Sequence, residues 1–236
     1  MDDMNILIVI QCRFGSSRLP GKALYPLAGM PMVVFLIRRL ISTLEETNHR
    51  LVLATTLKVE DDPVAVWGAQ EGIDVVRGEN EDVMARYIRC LRIYPTPAIV
   101  RVTADNPLTC PELINRSVIK LLENRLDYVQ TIGAPLGAGV DVFSKSVFDK
   151  LSDICLEPSE REHINKYIIE HRREFKTADL NVQGIINRPD IRLTVDTKED
   201  WNKIKRLFGD NEKKPWEIPL HKAIERFDSV HLQACA

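Results

Sequence analysis

The chain has 236 residues, 44% apolar and 28% charged, which excludes disorder and fibre and provides ample material for a buried core. Its 32 basic and 34 acidic residues nearly cancel, so no bulk positive field draws nucleic acid or a membrane surface, and any anion site must be local. Five cysteines, Cys12, Cys90, Cys110, Cys155 and Cys235, lie far apart without a C-x-x-C pair, which argues against disulfides or a zinc clip and for a reducing compartment.

Residues 5–10, Asn-Ile-Leu-Ile-Val-Ile, form a β-branched block, the pattern of a strand buried on both faces. The apolar run within it is far short of the roughly 20 residues of a spanning helix. The acidic start Met1, Asp2, Asp3 is unlike a signal peptide, so a cytoplasmic protein with no membrane partner is expected. From Pro31, apolar residues Val33, Leu36, Ile37, Leu40, Ile41 and Leu44 recur at helical spacing. Strand patterns at 51–55, 74–77 and 98–103 then alternate with helix patterns near 63–71 and 82–94, and a helix at 111–124 precedes a strand at 127–131. The economical solution is an α/β fold, a mostly parallel sheet with helices on both faces.

The alternation breaks at the Gly- and Pro-rich loop 133–139. Beyond it the patterns predict helices at 144–151 and 159–173, a strand at 191–196 and a helix at 198–208. Residues 210–215 form a polar linker. Trp216, Ile218, Leu220, Ile224 and Phe227 then give the tail an apolar face that packs back on the domain. The division expected is a domain at 1–209 and an extension at 210–236.

The strongest chemical signal follows the first strand, Gln11-Cys12-Arg13-Phe14-Gly15-Ser16-Ser17-Arg18-Leu19-Pro20-Gly21-Lys22. The carboxyl end of a strand in an open α/β sheet faces the ligand crevice. Arg13, Arg18 and Lys22 offer charged donors for phosphate oxygens, the serines add hydroxyls, and Gly15 and Gly21 permit close backbone approach. Neither a G-x-G-x-x-G nor a Walker-type loop occurs here. A nucleoside triphosphate carries about four negative charges, more than three cations neutralise, so a divalent metal is expected as well. Asp105 and Asp196 each follow a strand pattern, which brings both carboxylates to one edge, and paired acids suit magnesium. Each alone reads equally as a helix N-cap, because Pro107 and Thr197 precede helical segments.

Arg13-x-Gly15-Ser16-x-Arg18-Leu19-Pro20-Gly21-Lys22 resembles the signature loop of cytidylyltransferases that make CMP-activated acidic sugars, nearest to the spore-coat polysaccharide biosynthesis protein F group. Further matches are Ala54-Thr55-Thr56, Asp61-Asp62-Pro63, Arg77-Gly78-x-x-x-Asp82-Val83, Arg101-x-Thr103-x-Asp105-x-Pro107-Leu108, Ser159-Glu160-Arg161-Glu162-His163 and Thr194-Val195-Asp196-Thr197, so the resemblance spans residues 5 to about 208. It implies the nucleotide-sugar type of three-layer α/β/α sandwich, usually a homodimer, with 133–190 as an acceptor-site and dimerisation region, that transfers CMP from CTP to a sugar or sugar acid and releases pyrophosphate.

The resemblance also implies roles. Arg13, Lys22, Asp105 and Asp196 are the catalytic set, with Asp105 and Asp196 as Mg2+ ligands. Gln11, Arg13, Gly15, Ser16, Arg18, Lys22 and Thr103 hold the nucleotide. The base falls to the turn at Ala54 and Thr55 and to the loop from Arg77 to Asp82, although a Thr-Thr pair at a strand end is often only a cap or turn. The acceptor falls to Asp141, Glu160, Arg161 and His163, with Arg161 as a carboxylate fork and His163 as a candidate base. Glu160, Arg161 and Glu162 equally read as a solvated helix start, and His163 as a surface histidine.

Three departures stand out. Cys12 replaces a usual alanine, and a cationic loop is expected to lower its thiol pKa and make it open to alkylation. Ala104 replaces a usual glycine, and Asp141 is one acid where relatives often have two. These leave open a different base, a phosphosugar or phosphonate acceptor, or an inactive nucleotide-binding homologue.

Overall fold

A parallel strand buried on both faces needs apolar side chains pointing both ways. The first strand, β1 (Ile6–Gln11), meets this by placing Ile6, Ile8 and Ile10 in one core and Leu7 and Val9 in the other. The computed structural model describes residues 6–44, 49–209 and 212–234. The start at Met1, Asp2, Asp3 and Asn5, the linker residues Asp210 and Asn211, and Cys235 lie outside the described residues.

From β1 the chain passes through the signature loop to a ribbon of β2 (Pro26–Leu27) and β3 (Met30–Pro31), then α1 (Met32–Leu44). The expected alternation continues with β4 (His49–Thr56), α2 (Asp62–Gln70), β5 (Asp74–Gly78), α3 (Val83–Ile93), β6 (Ala98–Thr103), α4 (Pro111–Glu123) and β7 (Tyr128–Ile132). It ends with β8 (Asp141–Ser144), α5 (Lys145–Ile154), α6 (Pro158–Glu162), α7 (Lys166–Glu170), β9 (Thr177–Asn181), α8 (Lys198–Lys205) and α9 (Leu220–Ala234).

The seven-stranded sheet runs in the order β5-β4-β1-β6-β8-β7-β9. It is parallel except where β8 lies antiparallel to both β6 and β7. Two core clusters, one on each face, sit under helices, so the α/β sandwich read from the pattern is the fold. The order reverses at β1, whose neighbours β4 and β6 lead to opposite sides, and a ligand crevice forms at such a switch point beside the strands' carboxyl ends. No helix among the described residues is long and apolar enough to cross a membrane.

Three expectations need correction. The helix expected over 159–173 is broken into α6, α7 and a 3-10 turn at Arg172–Glu174. The break at His163–Asn165 turns Ile164 into the core and lets Asn165 Nδ2 donate to Asp141 Oδ2 at 3.1 Å. Residues 191–196 are extended but join no sheet strand. Their backbone partners are Leu136, which bonds Ile191 at 2.8 Å and Leu193 at 2.7 Å, and Asp105, which accepts from Val195 N at 2.8 Å. The pattern also missed β8, only 4 residues long, and β9, an edge strand in which Leu180 alone is buried, so neither shows an apolar alternation.

The C-terminal segment is anchored by a buried charge. Arg39 of α1, only 2% exposed, donates to the carbonyls of Thr109, Trp216 and Ile218 at 2.7–2.8 Å. Burial lowers its pKa to about 10, still far above neutrality, so it stays charged. Ile218, Leu220, Ala223 and Ile224 join the core on that face, as the tail's apolar spacing leads one to expect. Replacing Arg39 with Leu leaves these carbonyls without donors and is expected to cost on the order of 3 kcal/mol, read as a lower urea midpoint.

Candidate active site

Gly21 makes the signature loop possible. Its φ of 69° suits glycine, and a Cβ there would stand 2.7 Å from the Phe14 ring. Gly21 N donates to Phe14 O at 2.9 Å, closing the loop, and the 3-10 turn at Lys22–Leu24 starts directly after it. Buried Asp61 pins the other side by accepting from Phe14 N at 2.5 Å and from the Thr56 hydroxyl. So held, Lys22 points beneath the ends of β1 and β6.

There its ammonium meets both acids. Lys22 Nζ lies 2.7 Å from Asp105 Oδ2 and 2.9 Å from Asp196 Oδ1. Asp105 is set by the turn after β6, where Ala104 N donates to Gln11 O at 3.0 Å, and Asp196 is drawn in by the Val195 N to Asp105 O bond. Ala104 is itself buried in the core yet borders the cavity. Asp196 carries two more cations, with Arg18 Nη2 at 3.1 Å from Oδ1 and Arg192 Nη2 at 2.5 Å from Oδ2. Burial pushes the Asp196 carboxyl up, but Lys22, Arg18 and Arg192 outweigh it and hold the group below its ordinary 3.8.

These residues line a cavity of about 460 Å³ together with Gln11, Arg13, Gly15, Ser16, Thr103, Asn106, Glu162 and His163. Arg13 donates to Glu162 Oε1 at 2.7 Å, so every cation of the signature loop rests on an internal carboxylate. A second cavity of about 230 Å³ adjoins the first through Arg101, Thr103, Asn106 and Leu136, and Gln130, Thr131 and Asp141 complete much of its polar wall. Asp141 accepts from Arg101 Nη1 at 3.0 Å and from the Tyr128 hydroxyl at 2.5 Å. A third, of about 380 Å³, lies between the signature loop and residues Lys58, Asp61, Asn80 and Glu81.

The sequence-derived residues thus divide. Gln11, Arg13, Gly15, Ser16, Arg18, Lys22, Thr103, Asp105, His163 and Asp196 share the first cavity and Asp141 lines the second. Ala54, Thr55, Arg77, Asp82, Glu160 and Arg161 line none of the three. Ala54 and Thr55 are fully buried. Arg77 braces the loop after β4 through the carbonyls of Thr56 and Lys58, both at 2.7 Å. Arg161 is taken up by Asp82 at 2.6 Å and the Cys155 carbonyl at 3.0 Å, and Asp82 also caps α3 through Ala85 N. Sequence reasoning gave no role to Arg192 and read Glu162 only as part of a solvated helix start. An arginine four residues before an acid signals contact only in a helix, and this segment is extended.

Asp105 and Asp196 offer oxygen ligands converging on one cation, which fits Mg2+, an ion typically held by one or two carboxylates plus phosphates and water. Among the described residues no group of three or more His, Cys, Asp or Glu is arranged to hold a metal, so the remaining ligands would come from substrate and solvent.

Comparison with known proteins bears on the family and the fold. The family model for cytidylyltransferases matches residues 7–223. The spore coat polysaccharide biosynthesis protein SpsF of Bacillus subtilis is 33% identical over 214 residues, covering 89% of each chain. A 3-deoxy-manno-octulosonate cytidylyltransferase of Saccharophagus degradans is 30% identical over 152 residues, 64% of this chain and 58% of its own. The solved structure of a cytidylyltransferase from Leptospira borgpetersenii serovar Hardjo-bovis matches with a TM-score of 0.89 and 30% identity, covering 97% of this chain and 96% of its own.

Cys12 departs from expectation. It is buried, and desolvation raises its thiol pKa, with Asp61 and Asp105 adding to the rise. Alkylation of Cys12 by iodoacetamide is therefore expected only on unfolding, with mass mapping as the readout. Asp200 sets an acid limit. Burial raises its carboxyl, but the amides of Asp196 and Thr197 and the Arg192 guanidinium prevail and hold it below 3.8. Its contribution to stability is full above that value and is lost as pH falls through the lower folded one. Asp200→Asn is expected to flatten the stability profile between about pH 5 and 2, measured by urea unfolding.

Proposed function

The chain belongs to the cytidylyltransferase family, and from that premise we propose that it transfers CMP from CTP to a sugar or sugar-acid acceptor in polysaccharide or glycan assembly, releasing pyrophosphate. The observation that carries this reading is the Lys22 ammonium on both Asp105 and Asp196, in a cavity that Arg13 and Arg18 also line. In the reaction the acceptor hydroxyl attacks the α-phosphorus and the bond to the pyrophosphate oxygen breaks. Arg13, Arg18 and Lys22 hold the triphosphate and the charge gathering on the leaving group. Asp105 and Asp196 would hold Mg2+, which when bound would neutralise phosphate oxygens and polarise the reacting phosphorus.

The second cavity suits the acceptor. Thr103, Asn106, Gln130 and Thr131 present hydroxyl and amide groups of the kind that read sugar hydroxyls, and Asp141 stands at its edge. Arg101 lines both cavities, which supports it rather than Arg161 as the partner of an acceptor carboxylate. The third cavity, beside the loop after Arg77, suits the base. A cytoplasmic location agrees with the free thiols of buried Cys12, Cys90, Cys110 and Cys155. A homodimer rests on the family resemblance.

Pyrophosphate release with each of the four ribonucleoside triphosphates and a sugar-acid panel tests the proposal. CTP is expected to be strongly preferred, and equal rates with all four would refute it. Asp105→Asn is expected to keep the fold and lower kcat on the order of 10²–10³-fold, as for loss of one element that steadies transition-state charge.

A further inference from the structure

The cations at the acids are not equivalent. Lys22 bridges Asp105 Oδ2 and Asp196 Oδ1, and Arg18 also reaches Asp196 Oδ1. Arg192 sits on the other oxygen, Asp196 Oδ2, and is tied behind it to Asp200 Oδ1 at 3.2 Å. Lys22 is 12% exposed and Arg18 62%, so the bridging ammonium is enclosed while the arginine is free to swing. A divalent ion held by Asp105 and Asp196 needs the oxygens that Lys22 occupies. Like charges crowded into one partly buried gap repel strongly, so the ammonium and the ion exclude each other.

We infer that Lys22 is a place-holding cation, which keeps the two acids together before substrate arrives and gives up the gap only when a polyphosphate offers its ammonium another partner. This inference rests on the reading of Asp105 and Asp196 as metal ligands. The charges balance in the exchange: Lys22 and Arg18 leave the carboxylates for phosphate oxygens, and one divalent ion replaces these two single charges. Arg192 stays on Oδ2 throughout. Metal and nucleotide therefore bind as coupled partners, and metal alone competes poorly with a covalently tethered ammonium.

The test measures Mn2+ binding alone to the full chain, from the electron paramagnetic resonance signal of free Mn2+, in the absence of nucleotide and acceptor. Lys22→Met is expected to bind Mn2+ roughly tenfold more tightly than wild type or better, because the competing ammonium is gone. Arg192→Met removes the same charge from the same acid but leaves Lys22 in the gap, so its affinity is expected to stay within about threefold of wild type. Equal tightening in both variants would show a general charge effect and overturn the inference, as would no tightening in Lys22→Met. If no protein binds Mn2+ even with CTP, the assignment of the acids as ligands fails too, and CTP turnover decides the proposed activity separately. Should Lys22→Met not fold, the wild-type protein decides through the Lys22 ammonium resonance. It is expected to persist unshifted in Mg2+ alone and to move with Mg2+ and CTP together; a shift with Mg2+ alone would refute the exchange.

Discussion

A single main-chain hydrogen bond, from Val195 N to Asp105 O, joins two parts of the chain that the sheet does not connect. Asp105 belongs to the turn leaving β6, whereas Asp196 ends a segment with no strand of its own. That bond, the pairing of Leu136 with Ile191 and Leu193 beside it, and the burial of Ile191, Leu193 and Val195 together bring the second acid to the first. Lys22 then closes the arrangement from a third direction. Gly137 shows how tightly these segments meet, since a Cβ there would stand 2.7 Å from Thr194 N. The close approach of loop to loop substitutes for a sheet ladder.

Much of this was legible in the sequence. The β-branched block of β1 and the alternating patterns that follow gave the central sheet, because burial on both faces leaves an unmistakable apolar run. The signature loop stood out because its cations on either side of Gly15 cluster at a strand end, and the fold gathers Arg13, Arg18 and Lys22 round one cavity. What could not be read was geometry set by tertiary contacts. Residues 191–196 carry a strand pattern because Ile191, Leu193 and Val195 alternate inward, and the core rewards that alternation whether or not a neighbouring strand is present. Likewise the acidic and basic residues of 158–170 suit a helix, but the burial of Ile164 and Ile168 decided where it breaks.

Arg161 and Arg101 illustrate the same limit. Both are arginines within family motifs, and the motif alone made Arg161 the likelier anion fork by placing it beside other candidate acceptor residues. The fold gives Arg161 to Asp82 and sets Arg101, partnered by Asp141, between two cavities. Cys12 reverses for a related reason. A cationic loop favours a thiolate only where the sulfur is solvated, and here the side chain turns inward beneath the loop.

The pairing of Arg13 with Glu162, and of Arg18 and Lys22 with the two aspartates, has a consequence for selectivity. A basic pocket whose charges already have partners exposes little bare positive potential to the surrounding fluid. Orthophosphate or sulfate can satisfy one of these groups only by orphaning the acid it leaves, a poor trade in a partly buried site. A chain of linked phosphates, as the function proposed above requires, would engage several at once and bring its own counter-ion to the abandoned carboxylates. On that function, the resting ion pairs would act as a threshold filter against single small anions.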